Sequence, residues 1–551
     1  MLFGVWFFTP LLLKAQDTYA PLNKSYYHLI DRLAIKNDST TFHSSVKPYG
    51  RQDILNLVAT TKSNATFDDY NKGYLNVDSD QTDSVYLHES QKPIFKKFYR
   101  SKPHLYEVNE EAFQLRVNPV LYFSGGKDLE RNENLFINSR GAEIRGLIDN
   151  KAAFYSFLTD NQLSFPSYVD NQVGLYGAIP HENFWKTFKE TGYDFFTARG
   201  YINFNVTKHI STTLGYDRNF VGDGYRSLIL SNYAGNYAFL KLNTTIWKFK
   251  YTNLYANLTS DILSSGGVPS SSLYPTKFLT MHHLSLDVTK NFNIGLFESI
   301  VFSRQDSLGN SLGYDFRYLN PIIFYRAVEQ NVGSADNALL GLDFRWDLFQ
   351  TSSLYGQFVL DEFKFDEITA GNGWWANKFA LQLGAKYIDV FKINHLDLQG
   401  ELNLVRPFTY AHSNTSNSYS HYNQALTHPL GANFREIIGI IRYQPHQRLF
   451  VSGKLIFAQV GRDSTGVNYG SNILKSNRTK IQTFGNTIGQ GVTSDILYAS
   501  FSISYMFKHN LFLDFQQIIR RETTTDINFA GNNVVSMVSL RLNIPQRLNE
   551  F

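Results

Sequence analysis

The sequence predicts an all-β chain: a transmembrane, antiparallel outer-membrane β-barrel of about 18 strands, preceded by a small helical unit. Three observations predict it. From about Phe113 to Ile544 the chain is a succession of segments that alternate apolar with polar side chains. The connections between these segments alternate short with long. No helical period interrupts them. A period of two gives a strand with one apolar and one polar face. A chain made of such strands can satisfy all its backbone groups in lipid if the sheet closes on itself.

The alternation is clean in several places. Leu342, Phe344, Trp346 and Leu348 interleave with Asp343, Arg345 and Asp347. Leu396, Leu398, Leu402 and Leu404 interleave with Asp397, Gln399, Glu401 and Asn403. Phe501, Ile503 and Tyr505 do so with Ser500, Ser502 and Ser504, and Val534, Val538, Leu540, Leu542 and Ile544 share one face near the end.

Composition agrees. Aromatic residues reach 15%, with 34 Tyr and 45 Phe, which suits the aromatic girdles of a membrane barrel. Charged residues are only 18% of the chain, yet mean hydropathy is −0.27, because half of each barrel strand is polar. A net charge of +4 gives no case for nucleic acid. Cysteine is absent, which excludes disulfides, thiolate metal sites and cysteine nucleophiles.

In chain order, the apolar run Leu2–Leu13 is too short to span a bilayer as a helix and reads as the core of a signal peptide, 1–15, cleaved after Ala15. Residues 16–110 form the helical unit. Tyr26, Tyr27, Leu29, Ile30 and Leu33 recur at helical spacing, and Ile54, Leu55, Leu57 and Val58 repeat it. The polar stretch from Thr60 to Ser84 reads as turns or a loose hairpin, and 88–100 as a third helix with Pro93 in its first turn.

The barrel occupies 111–551. Its first alternating segment falls near 112–124 and its last near 533–544. Tight turns fall at Asp149-Asn150, Lys208, Phe249, Asn291, Gln350-Thr351, Phe391-Lys392, Pro445-His446 and Lys508-His509. Long loops lie near 125–134, 163–192, 220–235, 261–276, 305–336, 367–375, 408–429, 462–494 and 523–532. Short turns belong in the periplasm and long loops outside the cell, so both chain ends and the helical unit are expected to be periplasmic. Soluble β-sandwiches do not alternate tight and long connections so regularly, and their strands are usually shorter.

The residues Ser25-Tyr26-Tyr27-His28-Leu29-Ile30-Asp31-Arg32-Leu33 and Lys47-Pro48-Tyr49-Gly50-Arg51-Gln52-Asp53 resemble the N-terminal helical segment of Wzi-like capsule-assembly proteins. The glycine-rich stretch from Gly215 to Ser231, ending Ser227-Leu228-Ile229-Leu230-Ser231, is similar to that family's mid-barrel region, and Tyr318-Leu319-Asn320-Pro321 and Asp361-Glu362-Phe363 fall where family features are expected. The flavour is that of RemB-like gliding-motility relatives. The resemblance implies an 18-stranded outer-membrane barrel with a periplasmic helical bundle, acting as a surface lectin for exported polysaccharide. No sugar-binding residue carries over.

Several clusters have competing readings. Gly222-Asp223-Gly224 lacks the Lys-Ser/Thr and following helix of a phosphate loop, and reads as a bend folding the chain back into the barrel mouth. Asp361, Glu362, Asp366 and Glu367 form an acidic cluster at an outward strand end: a plain solvated rim, or a cation or sugar rim. Trp374 and Trp375 serve as an interfacial anchor or as a sugar-stacking surface. Tyr410, Asn414, Tyr419, Tyr422 and Asn423 combine stacking with adaptable hydrogen bonds and are candidate ligand contacts. His412, His421 and His428 match no metal spacing, and Asp78, Asp80 and Asp83 lack the glycine and terminal glutamate of a calcium loop. His282 and His283 point to opposite faces of a strand. No catalytic arrangement, metal site or cofactor is assigned. The lumen-facing charges, among them Arg116, Lys241, Asp343, Arg345, Asp397, Glu401, Asp514, Arg520 and Arg541, either line a channel or pair across a packed lumen.

The expected function is non-enzymatic. The long loops bind surface or capsular polysaccharide, or the barrel supports surface export or gliding assembly with envelope proteins in outer-membrane lipid. The alternatives are a diffusion porin for small solutes and a structural subunit of a larger envelope complex.

Overall fold

The structure is a computed structural model that describes residues 18–38, 41–80, 99, 103–260, 274–304, 312–324, 336–362 and 364–551. Eighteen long antiparallel strands close into one barrel, from Phe113–Asp128 to Gly531–Leu542. The first and last pair with each other, Leu121 opposite Leu542 and Asp128 opposite Val535. Large apolar side chains such as Phe196, Ile202, Leu214, Ile437, Phe457 and Val538 stand exposed on the outer wall. At the short-turn end, Phe113, Trp247, Phe349, Phe391, Tyr443 and Phe507 form an exposed aromatic ring. Such a belt with a girdle is the outer surface of a membrane barrel.

Two of the expected long loops are shorter than expected. Strand pairing runs on to Asp128 and resumes at Glu133, and near the end it runs to Thr524 and resumes at Gly531. Gly125 and Gly126, which read as loop residues, are ladder residues opposite Val538 and Met537. A Cβ at Gly126 would sit 2.3 Å from the Ser536 carbonyl oxygen, so glycine here serves close strand approach.

The N-terminal unit holds helices α1 (Tyr27–Lys36), α2 (Arg51–Thr60) and α3 (Asp68–Asp78). Helix α3 replaces the expected turns. Its polar composition hid it, but Tyr74, Leu75 and Val77 bury one face, and Asp68 accepts the Asn64 and Ala65 N–H groups at 2.9 Å ahead of its first turn. The expected signal peptide, Asp83 and nearly all of 88–100 lie outside the described residues. The three helices share a core of Tyr26, Leu29, Ile30, Ile54, Leu57 and Tyr74, which continues into Phe512 and Met506 of the barrel wall.

This unit plugs the short-turn end. Arg32 on α1 bonds Asp397, and its Nη2 lies 2.8 Å from Asp389. Lys36 reaches Asp389 at 3.0 Å, and Asp31 meets Lys386 at 2.6 Å. Asn71 and Gln444 exchange amide bonds, Asp78 accepts from Asn510, and Asp80 pairs with Arg145 at 2.8 Å. The wall residues come from strands and turns around much of the barrel.

Three further segments fill the lumen. Residues 219–236 fold inward, and Phe220-Val221 pairs with Lys47-Val46 of the N-terminal unit. Leu228, Ile229 and Leu230 have no exposed surface. Residues 408–430 pack on them, with the Tyr410 hydroxyl donating to the Leu228 carbonyl at 2.7 Å. The tail 543–551 runs back into the lumen, where Phe551 is buried and Glu550 lies 2.6 Å from Arg226. Lumen charges pair within this packed interior: Arg541 with Asp514 at 2.6 Å, Arg345 with Asp347 at 3.0 Å, Arg520 with Glu522 at 2.6 Å.

A fifth segment lies on the outside. Residues 312–324 cover outward-facing polar groups of the wall. Phe324 N–H donates to Glu298 Oε2 at 2.6 Å, Tyr255 donates to the Leu319 carbonyl at 3.1 Å, and Asn253 to the Pro321 carbonyl at 3.3 Å. Phe316 and Ile322 of this strap face outward in place of the polar groups beneath. A carboxylate on the lipid face is destabilising, and the strap removes that exposure. His282 lies under the strap, bonded to Asn253 at 2.7 Å, whereas its neighbour His283 faces the lumen and meets Asp343 at 2.6 Å.

Candidate functional site

The best-formed exposed surface at the long-loop end is built from two loops far apart in sequence. Gly371 and Gly373 take left-handed backbone angles (φ +61° and +68°), which turn the chain so that Trp374 and Trp375 follow at once. This turn is clamped against 483–486. Trp375 N–H donates to the Thr483 carbonyl at 2.9 Å, Gly485 N–H to Asn372 at 2.8 Å, and Asn486 N–H to Gly373 at 2.9 Å. Arg406 Nη2 ties both loops through the carbonyls of Trp374 (3.4 Å) and Asn486 (3.2 Å).

The two indoles meet edge to face at 6.4 Å, and Trp375 meets Phe408 likewise at 6.0 Å. Both tryptophans remain half-buried, so part of each ring is open to solvent. The Lys480 ammonium lies 4.3 Å from the centroid of Trp375. Phe365, Ile368, Ile481 and Phe484 are exposed nearby. The result is an aromatic and apolar shelf edged by a cation, held rigid by backbone hydrogen bonds.

The other expected contacts separate into groups. Tyr410 and Tyr419 are fully buried and stack on each other at 6.0 Å, inside the lumen rather than on the surface. Tyr422 is buried against Tyr274. Asn423 is half-buried and donates to the Tyr176 carbonyl at 3.1 Å. Of the candidates in 408–429, only Asn414 is exposed. The polar, aromatic composition of that loop serves a packed lumen, where Tyr410 and Asn423 find partners within the chain.

The acidic cluster also divides. Asp361 is buried, lies 3.3 Å from Lys378 and accepts the Tyr410 N–H at 2.7 Å, so it fixes the inward loop and is not a rim ligand. Glu362 is exposed but shares Lys378 at 3.3 Å. Asp366 is exposed, and Glu367 accepts from Asn372 at 2.5 Å, a bond that with Lys364 holds its carboxyl below the usual range. Among the described residues no three His, Cys, Asp or Glu side chains converge as metal ligands.

Lys480, Ile481, Phe484 and Arg406 carry no motif. They join the tryptophans only through closure of the barrel.

The sequence profile described as capsule assembly protein Wzi matches residues 126–514. The chain belongs to the Wzi capsule assembly family. Its fold is that of Wzi from Escherichia coli, described as an outer membrane protein involved in group 1 capsule assembly and a carbohydrate-binding β-barrel. The match has a TM-score of 0.56 at 11% identity and covers 95% of this chain and 98% of that one. Pseudomonas aeruginosa OccK8 (OprE) aligns over 78% of this chain and 97% of its own, at 8% identity and a TM-score of 0.42. Acinetobacter baumannii OccAB2 aligns over 78% and 97%, also at 8% and 0.42. No curated protein sequence matches the chain. The 126–514 match spans the tryptophan shelf and the inward loops, but not the helical plug or the tail.

Proposed function

We propose that this Wzi-family barrel is a non-enzymatic outer-membrane protein that holds surface polysaccharide at the cell surface, with its long loops outside and its helical unit in the periplasm. The observation that carries the reading is the shelf at Trp374 and Trp375, with Lys480 at its edge. An aromatic face accepts the apolar side of a sugar ring, and a neighbouring ammonium favours an acidic sugar. Family membership and the carbohydrate-binding description of Escherichia coli Wzi support the same reading. The periplasmic side is assigned from the short turns, which converge where the helices dock.

Binding of purified full-length protein to immobilised capsular polysaccharide tests this. A Trp374→Ala/Trp375→Ala double variant should bind roughly thirtyfold more weakly, corresponding to about 2 kcal/mol for an aromatic hot spot. Unchanged binding by the double variant would remove the shelf from the reading. The porin reading is disfavoured by the four segments packed inside the lumen.

A further inference from the structure

Two adjoining cavities remain inside the filled lumen. One, of about 330 Å³, lies between α1 and the wall around Arg442 and Lys454. The other, of about 180 Å³, lies between Arg199 on the wall, Arg218 beside the inward loop and the tail. Asn23, Phe220, Tyr225, Gln546 and Leu548 line both, so the partition between them is one layer of side chains.

Four arginines face the smaller cavity, Arg199, Arg218, Arg226 and Arg547, against two carboxylates, Glu182 and Glu550. Both carboxylates are engaged. Glu550 meets Arg226 at 2.6 Å, and Glu182 meets Arg547 at 3.3 Å. Arg226 has a second partner in Glu436 at 3.2 Å. Arg218 is left without a carboxylate partner, and Arg199 has one only at the limit of contact. Arg199 is only 6% exposed, its nearest carboxylate contact is Asp217 at 4.0 Å, and its Nε has no hydrogen-bond partner. Arg218 donates to two carbonyls, Asn232 at 3.2 Å and His181 at 3.5 Å, and pairs with no carboxylate among the described residues. Its Nε is also unpartnered. Burial, and then the charge of Arg199, push the Arg218 guanidinium below its usual value. The charge of Arg199 weighs on Arg218 in this confined space, and an anion bound between the two relieves it.

We propose that this cavity binds a small oxyanion, a carboxylate or a phosphate group, held between the guanidinium groups of Arg199 and Arg218. The planar fork of arginine matches both anions, and burial strengthens such charge-assisted bonds. The cavity is similar in size to the roughly 150 Å³ space that holds benzene in an engineered protein core. That admits a phosphate or the acidic end of one sugar, and excludes a polymer chain. The site stands apart from the tryptophan shelf and does not depend on it.

Calorimetry on the full chain, purified in detergent at constant ionic strength, tests the site with three probes: inorganic phosphate, glucuronate and uncharged glucose. Saturable binding of phosphate, of glucuronate or of both is expected, and which of them binds identifies the source of the oxyanion. Arg199→Gln and Arg218→Gln should each weaken it roughly tenfold or more, and Arg218→Lys, which keeps the charge but loses the fork, should recover it in part. Heat-modifiable migration in gels checks that each variant is a folded barrel. Trp375→Ala should bind the anion unchanged, which keeps this test separate from that of the shelf. No saturable binding of either anion, equal binding of glucose, or an Arg218→Gln protein that is folded and binds like the parent would overturn the proposal.

Discussion

Replacing Glu550 with Gln asks whether charge pins the tail inside the lumen. Glu550 accepts from Lys454 and from the Tyr225 hydroxyl, and its other oxygen lies 2.6 Å from Arg226. Burial alone would raise its carboxyl, but Arg226 and Lys454 outweigh burial and hold it at about 2, against 4.5 for an unperturbed glutamate. At about 1.36 kcal/mol per tenfold in proton affinity, that gap corresponds to on the order of 3 kcal/mol. Glu436 still compensates Arg226 at 3.2 Å, so the expected net loss at neutral pH is about 2 kcal/mol. The folded-state value lies below the unfolded one. The stabilisation is therefore complete above about 4.5 and is lost as pH falls from there towards 2. The chain has no cysteine, so Leu548→Cys provides a single reporter on the tail. Its modification by a disulfide reagent that reacts in acid should run roughly thirtyfold faster with Glu550→Gln at pH 7, and the two proteins should converge near pH 2. Equal rates at pH 7, or a difference that persists unchanged into acid, would refute the reasoning.

Other contacts give further expectations. Arg32→Ala leaves Asp397 without its cation, while Asp389 keeps Lys36, and should weaken docking of the helical unit by about 3 kcal/mol, read as faster protease cleavage within 18–80. Gly222 has φ +138° and an added Cβ would lie 2.4 Å from Gln357 Nε2, so Gly222→Val should displace the inward loop. In planar bilayers the parent should be electrically silent and Gly222→Val should show intermittent conductance; steady parental channels would contradict a packed lumen. Glu298→Ala removes the acceptor for Phe324 N–H and should loosen the strap by about 1–3 kcal/mol, seen as faster cleavage within 312–324.

The barrel was legible because its signal is local and repeated. Each strand states its own two faces, as Leu342–Leu348 does, and the spacing of turns adds direction. The bend at Gly222-Asp223-Gly224 was legible too, since glycine and polarity without a following helix mark a turn. Helix α3 was not, because its apolar positions are few and its anchors are polar groups on the wall, such as Arg145 and Asn510, brought close only by closure. The same holds for the site. Tyr410 and Tyr419 have the composition of a binding surface, but composition does not reveal whether a loop turns outward or inward. Asp361 reads as rim until Lys378, on the next strand, is seen to lie against it. Trp374 and Trp375 stood out by residue type, whereas Lys480, more than a hundred positions away, could be joined to them only by the fold.

The packing of the lumen constrains where function resides. A passage for solutes needs unpaired polar walls and free volume, as in a water-filled barrel of this strand count. Here many wall charges are paired with the segments that fill the lumen: Asp397 with Arg32, Lys386 with Asp31 and Arg145 with Asp80 of the helical unit, and Glu436 with Arg226 of the inward loop. Several of these ties join a strand to a segment from elsewhere in the chain, so displacing one segment exposes buried charges on two. That makes the filled state cooperative, and it makes the lumen a rigid support for the loops above it. Tyr410 bridges the two levels, with its hydroxyl on Leu228 and its N–H on Asp361 at the strand end that leads into the tryptophan loop. The proposed shelf, mounted on such a base, would lose little conformational entropy on meeting a ligand, as a binding surface requires.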